Sequence, residues 1–300
     1  TRMNYRSLGK SDLSVSEIGF GCMSLGEDQH ANGQLINRAI ETGINFFDTA
    51  DLYQKGANET SLGNMLKGRR KSLIIATKVG NQWRPDGSGW DWNPRKEYIL
   101  ASVEGSLKRL QTDYIDLYQL HGGTIDDAID ESIEAFEILK AQGKIRHYGI
   151  SSIRPNVIRE YVKRSGIVSV MMQYSLLDRR PEETCLTLLK ERDIGVLSRG
   201  SLARGLLVYK PPESYLKYDS SEVRKAACAI RSLSSEKRSP AQTSIRFVIQ
   251  NPAISSAVVG IRTLDQLEDV ASASHAPWLT ENEMRTLRES VMANRYDQHR

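Results

Sequence analysis

Two hydrophobic rhythms alternate along the chain. Short, nearly continuous apolar runs, rich in β-branched and aromatic residues, read as buried strands. They fall at 18–23, 44–48, 72–78, 114–121, 146–150, 168–173, 194–198 and 256–259. Between them the apolar positions recur every three or four residues, as Ile99, Val103, Leu107 and Leu110 do, and these stretches predict helices. The helices span 35–41, 58–66, 95–110, 128–142, 155–164, 181–191, 222–235, 240–250 and 265–273, with a last one opening at Thr280. Asn58 is placed as an N-cap, and Gly43 and Gly143 as helix stops. Ahead of the first strand, short runs around Tyr5 and Val15 flank Gly9-Lys10-Ser11-Asp12, the signature of a hairpin.

Strand followed by helix, eight times over and with no linker, is the pattern of an α/β chain folded as a single (β/α)8 TIM barrel. The expectation is one domain over 1–300, with an N-terminal β-hairpin and extra C-terminal helices. A doubly wound sheet is the runner-up. It would want a Gly-rich first turn, and Ser24 stands where the third glycine after Gly19-Phe20-Gly21 should be. A short-chain dehydrogenase would need Tyr-x-x-x-Lys, which the chain lacks.

In a parallel barrel, chemistry collects at the C-terminal ends of the strands. Asp48 ends the second strand and Tyr53 follows it; Lys78 ends the third and His121 the fourth. Alone, Asp48 would be a turn cap and Tyr53 a half-buried phenol. Their recurrence with Lys78 and His121 on adjacent strands makes a proton-transfer site the better reading. An ammonium beside a phenol favours loss of the phenolic proton, a carboxylate keeps that ammonium charged, and an imidazole can hydrogen-bond a substrate oxygen. The segment 81–94 reads as a long loop carrying Trp83, Trp90 and Trp92, and two readings stand: a binding surface, or packing on the barrel rim.

Composition narrows the partners. The formal charge is +4, from 41 basic and 37 acidic residues, with no Lys/Arg block to suggest nucleic acid. No apolar run reaches the roughly 20 residues of a membrane span, and no secretory signal core opens the sequence. Cys22, Cys185 and Cys228 are odd in number, far apart and without a C-x-x-C pair. That argues for a reducing, cytoplasmic setting and against a disulfide framework or a metal site. The Asn58-Glu59-Thr60 sequon is then a chance match.

An ordered set of motifs resembles the aldo-keto reductase superfamily over essentially the whole chain. The motifs are Phe47-Asp48-Thr49-Ala50-Asp51-Leu52-Tyr53, Glu59-x-x-Leu62-Gly63, Ala76-Thr77-Lys78 and Asp113-Tyr114-Ile115-Asp116-Leu117-Tyr118-Gln119-Leu120-His121. Gly143-Lys144-Ile145-Arg146-x-x-Gly149-Ile150-Ser151 and Leu202-Ala203-Arg204-Gly205-Leu206-Leu207 complete it. The likeness is greatest to bacterial members related to the Bacillus general-stress and inositol-cluster reductases and to potassium-channel β subunits.

The resemblance implies NADPH bound across the C-terminal face of the barrel, without a Rossmann domain. Tyr53 would donate the proton to a carbonyl oxygen, Lys78 and Asp48 would tune it, and His121 would orient the carbonyl. Ser151, Ser152 and Gln173 would hold the nicotinamide carboxamide, with Gly21, Cys22 and Met23 under the adjoining ribose. Gly200, Ser201 and Leu202 would wrap the pyrophosphate. Gly260 and Arg262 would meet the adenosine ribose and its 2′-phosphate, and Gln266 and Asp269 the adenine. Glu59 and Cys22 fit structural roles, and His30, His147, His275 and His299 have no motif company.

Four departures stand out. Ser152 replaces a common Asn, Gly122-Gly123 replaces Trp-Pro and should widen the substrate mouth, and Val270 replaces an Asn at the adenine end. Arg199 stands where an aromatic ring usually faces the nicotinamide. Two function classes follow from the resemblance. One is a monomeric NADPH-dependent reductase of small carbonyl compounds, aldehydes first and ketones as the wider class. The other is a cofactor-bound regulatory module of the channel β-subunit type, which the short N-terminal segment disfavours.

Overall fold

In the computed structural model, residues 3–300 are described. Its frame is a closed parallel barrel of eight strands. In chain order the strands are β1 (Tyr5–Ser7), β2 (Ser14–Ser16), β3 (Ile18–Gly21), β4 (Phe46–Asp48), β5 (Ile74–Val79), β6 (Asn81–Trp83), β7 (Trp90–Trp92), β8 (Ile115–Leu120), β9 (Ile145–Ser151), β10 (Ser169–Gln173), β11 (Gly195–Arg199) and β12 (Ile254–Gly260). The barrel runs β3-β4-β5-β8-β9-β10-β11-β12 and closes by pairing β12 with β3. The helices are α1 (Gln29–Glu41), α2 (Ala57–Met65), α3 (Lys96–Leu110), α4 (Ile129–Ala141), α5 (Pro155–Arg164), α6 (Cys185–Glu191), α7 (Ser220–Ser232), α8 (Pro240–Ile249), α9 (Leu264–Ala271) and α10 (Glu281–Ser290).

The period of two along a strand explains how one barrel can be both a core and a site. Phe46, Ala76, Leu117, Met171, Leu197 and Val258 pack together inside the barrel. Two residues further along the same strands come Asp48, Lys78, Gln119, Gln173, Arg199 and Gly260. These six of the eight strands therefore carry an apolar residue below and, on all but β12, a polar one at the rim. The hairpin β1–β2 closes the other end, adding Leu8, Leu13 and Val15 to the same apolar cluster. Gly9 makes that turn possible: its φ is +53°, and a Cβ there would lie 2.6 Å from the Asp193 carbonyl oxygen.

Several element boundaries differ from the sequence reading for local reasons. Helix α1 begins at Gln29, six residues earlier, because Asp28 Oδ1 accepts from the backbone N–H groups of His30 and Ala31. Its first turns are polar and gave no periodic signal. Asn58 is not the cap of α2; Gly56 is, in left-handed conformation. The Asn58 side chain is buried instead, bonded to Thr49 Oγ1 (2.6 Å) and donating to the Cys22 carbonyl (2.9 Å). The helix expected over 181–191 splits into a 3₁₀ turn, Arg180–Glu182, and α6. Residues 81–94 are not a plain loop: β6 and β7 form a small antiparallel hairpin.

Candidate active site

Register brings the strand-end residues together. Gly21 pairs with Asp48, Asp48 with Ala76, and Lys78 with Gln119. The Lys78 ammonium is buried and donates to Asp48 Oδ2 at 2.6 Å, to the Thr49 carbonyl at 2.8 Å and to the Tyr53 hydroxyl at 3.3 Å. That uses all three donors of an ammonium group. Burial works to strip the proton from Lys78, but the charges and hydrogen bonds of Asp48 and Tyr53 outweigh it and raise its pKa. Gln119 Nε2 donates to the other oxygen of Asp48 at 2.9 Å.

His121 lies edge-on to the Tyr53 ring, with centroids 5.9 Å apart and planes at 85°. Burial first, then the cations Lys78 and Arg199, lower its pKa to about 3. Its imidazole is therefore neutral at ordinary pH, and Nδ1 is enclosed without a hydrogen-bond partner. A neutral imidazole can hold a carbonyl oxygen beside a phenol that touches a fixed ammonium, and that oxygen can then take the phenol's proton.

These groups open into a cavity of about 560 Å³ at the C-terminal end of the barrel. Tyr53, Lys78 and His121 line it, with Met23, Ser151, Ser152 and Arg199 from the expected cofactor set. Gly21 and Gly260 are register partners at the β3–β12 seam. Cys22 is buried, and burial pushes its thiol far up, as a small apolar filler requires. Gln173 Oε1 accepts a long bond, 3.4 Å, from Arg180. Gly200, Ser201 and Leu202 turn away from β11, with Gly200 at φ +72° and Ser201 Oγ enclosed without a partner. Beyond β12, Gln266 Oε1 accepts from the Arg262 backbone N–H at 2.9 Å. Asp269 Oδ1 accepts from Ser239 Oγ (2.5 Å) and Gln242 Nε2 (3.0 Å) and so ties α9 to the start of α8.

The tryptophans do not line the cavity. Trp83 and Trp90 pack edge-to-face on each other, and Trp92 turns inward to donate from Nε1 to Asp127 at 3.1 Å. Trp92 also fills part of the room left by the glycine pair, since a Cβ on Gly122 would lie 3.5 Å from its ring. Both Gly122 and Gly123 have strongly positive φ and border the cavity. Glu59 is structural as expected, bridging Thr77 Oγ1 (2.7 Å) and the Arg109 guanidinium (2.8 Å).

Sequence reasoning missed Gln119, Arg180 and a whole segment of the cavity wall. Tyr296, Asp297, Gln298 and His299 cross the top of the barrel, held by the bond from Asn156 N–H to the His299 carbonyl (2.9 Å) and by the Arg180 guanidinium 4.9 Å from the Tyr296 ring centre. Gln119 was findable, lying two residues before His121 on the same inward face. The tail carries no motif and no periodicity.

Residues 17–291 match the Aldo/keto reductase family. The chain belongs to that family. It is 48% identical to the oxidoreductase YqkF of Bacillus subtilis, over 99% of this chain and 100% of that one. It is 32% identical to an L-galactose dehydrogenase of Arabidopsis thaliana, over 91% of this chain and 88% of that one. Among solved structures, the holo form of the aldo-keto reductase AKR11C1 from Bacillus halodurans superposes with a TM-score of 0.94 at 49% identity, covering all of both chains. The protein is thus an oxidoreductase of the carbonyl-reducing kind, working with a nicotinamide cofactor on small molecules. Among the described residues no helix is long and apolar enough to cross a membrane.

Proposed function

We propose that this aldo/keto reductase converts aldehydes, with ketones as the wider class, to alcohols using NADPH, and that Tyr53 supplies the proton. The observation that carries this reading is the contact of one buried ammonium, Lys78, with both Asp48 and the Tyr53 hydroxyl at the wall of the cavity. Tyr53 donates its proton to the carbonyl oxygen as negative charge builds there. Lys78 stabilises the phenolate left behind, and Asp48 with the Thr49 carbonyl keeps Lys78 charged and still. His121, neutral, holds the carbonyl oxygen beside the phenol. Hydride comes from the reduced nicotinamide when the cofactor is bound.

The residues present fit that cofactor. Ser201 Oγ is enclosed with no protein partner, and Gly200 gives the backbone a turn that an anion can approach. Ser151, Ser152 and Gln173 would hold the carboxamide, and Gly200, Ser201 and Leu202 the pyrophosphate. The exposed Arg262 would read the 2′-phosphate, for which its planar fork is suited. The three cysteines are free, in keeping with a reducing cytoplasm.

The test is Tyr53→Phe, assayed by NADPH oxidation over aldehydes, ketones and sugars, with NADH alongside. Activity should fall by about 10²–10⁴-fold, the usual contribution of a general acid, while NADPH still binds. Activity within a few-fold of wild type would remove Tyr53 from the mechanism.

A further inference from the structure

The tryptophan-bearing hairpin has no part in that reading, yet it touches the segment that carries Tyr53. The three residues after Tyr53 all have left-handed backbones: Gln54 (φ 52°, ψ 36°), Lys55 (φ 54°, ψ 37°) and Gly56 (φ 93°). Glycine adopts this freely. A residue with a Cβ does so at a cost, because the Cβ crowds the following carbonyl oxygen. Such a conformation persists only where the surroundings impose it. The loop's own backbone bonds only bracket it: Tyr53 N–H donates to the Ala50 carbonyl (3.3 Å), Lys55 N–H to that of Leu52 (3.2 Å) and Ala57 N–H to the Tyr53 and Gln54 carbonyls, while the Gln54 side chain makes only a long contact, 3.5 Å, to the Leu25 carbonyl.

The outside does more. The Lys55 ammonium lies 5.1 Å from the centre of the Trp83 ring. Trp83 is half-buried and braced by Trp90 at 5.1 Å across the β6–β7 hairpin, which Arg84 and Asp91 tie together at 2.8 Å. On the far side, Gly56 lies against Arg109, where a Cβ would come within 2.9 Å of the Arg109 side chain.

We propose that Lys55 and Trp83 form a clamp that holds the left-handed loop in place and so positions the Tyr53 hydroxyl against Lys78 and His121. The proposal rests on Tyr53 being the proton donor. Lys55 and Trp83 are positioning residues, not catalytic ones, since neither lines the cavity. The attraction is that of a cation for the negative face of an indole, stronger where the ring is partly shielded from water. Its effect should appear in the chemical step and not in the affinity for substrate or cofactor.

The experiment compares Lys55→Met, Lys55→Arg and Trp83→Leu, each with and without Gln54→Gly, using Tyr53→Phe as the reference. The readouts are kcat and KM for one aldehyde at saturating NADPH, the NADPH Kd by fluorescence, and the melting temperature. Lys55→Met should lose about two- to fivefold in kcat, the scale of one cation–π contact, with KM and Kd within about twofold. Trp83→Leu should lose more, and Lys55→Arg, which keeps a cation over the ring, should stay near wild type. Adding Gln54→Gly should restore most of the kcat lost in Lys55→Met, because glycine removes the Cβ cost without the clamp. Wild-type kcat in Lys55→Met and Trp83→Leu, with Tyr53→Phe inactive, overturns the clamp and leaves the reading of Tyr53 intact. Losses in kcat that track melting temperature or Kd and resist Gln54→Gly also overturn it, since they mark a merely structural role. An active Tyr53→Phe overturns the reading of Tyr53 and the clamp with it.

Discussion

The Lys78 ammonium lies 2.6 Å from Asp48 Oδ2, with both side chains buried. Removing one partner of such a pair strands a charge away from water, at a typical cost of about 3–5 kcal/mol. Asp48→Asn should therefore lower both the urea midpoint and kcat, the latter by more than about tenfold as Lys78 loses its fixed geometry. Equilibrium unfolding and steady-state NADPH oxidation on the same preparation measure both. An unchanged midpoint would mean that the Thr49 carbonyl and Tyr53 suffice to hold the ammonium.

Arg262 should set the preference for NADPH over NADH. A hydrogen bond to a charged group contributes about 1.5–3 kcal/mol, so Arg262→Ala should weaken NADPH by that amount and leave NADH nearly unchanged. Equal weakening of the two cofactors would make Arg262 a structural residue and point to another basic group as the phosphate reader.

Arg199 borders the cavity at the end of β11, and its charge helps to lower the pKa of His121 after burial and Lys78. A fixed cation disfavours a positively charged nicotinamide ring more than a neutral one. At an effective dielectric near ~20, two unit charges ~4 Å apart repel by about 4 kcal/mol, and solvent reduces this. NADPH should accordingly bind more tightly than NADP+, and Arg199→Tyr should narrow the gap. Titrating both cofactors into both proteins decides the point; an unchanged gap sinks the charge-repulsion argument.

Asp51 should make stability depend on pH. Burial, then the nearby Glu59, raise its carboxyl to about 7, with Arg109 opposing. One oxygen, Oδ1, is enclosed without a hydrogen-bond partner. In the unfolded chain the same group ionises near ~4. The native state therefore holds the proton more tightly, so stability falls as pH rises between about 4 and 7, and the full cost is present above that. A shift of this size corresponds to at most about 4 kcal/mol, and partial exposure trims it to roughly 2–3 kcal/mol. Asp51→Asn should be the more stable protein at pH 8 and the two should converge near pH 4. Urea unfolding at both pH values checks this, and parallel curves would show that Asp51 ionises normally.

The barrel was legible because each strand announced itself twice, by a short apolar run and by the helix behind it. The meeting of Asp48, Tyr53, Lys78 and His121 was legible for the same reason, since strand ends in a parallel barrel share one rim. Polar helix turns hid the start of α1, where a single Asp28 cap outweighs the lack of an apolar stripe. That Asp269 ties α9 to α8 was hidden because carboxylate chemistry does not say which protein donors will reach it; here Ser239 and Gln242 do. Tyr296–His299 were illegible for a deeper reason. Their place over the cavity depends on bonds to Asn156 and Arg180, more than a hundred residues earlier, and no local pattern encodes them.

The barrel seam joins nearly opposite ends of the chain: Ile18 pairs with Ala257 and Gly21 with Gly260, while Arg6 donates to the Ile249 and Ile254 carbonyls at 2.7 Å. A ribosome emits residues in order, so β3 leaves the exit tunnel long before β12 exists. At about 5–20 residues per second, that delay is on the order of 10–50 s. Throughout it, one side of β3 offers unpaired N–H and C=O groups, the template on which foreign strands assemble. A half-built cylinder must be shielded for that long. The strand made last is the one that shelters the strand made early.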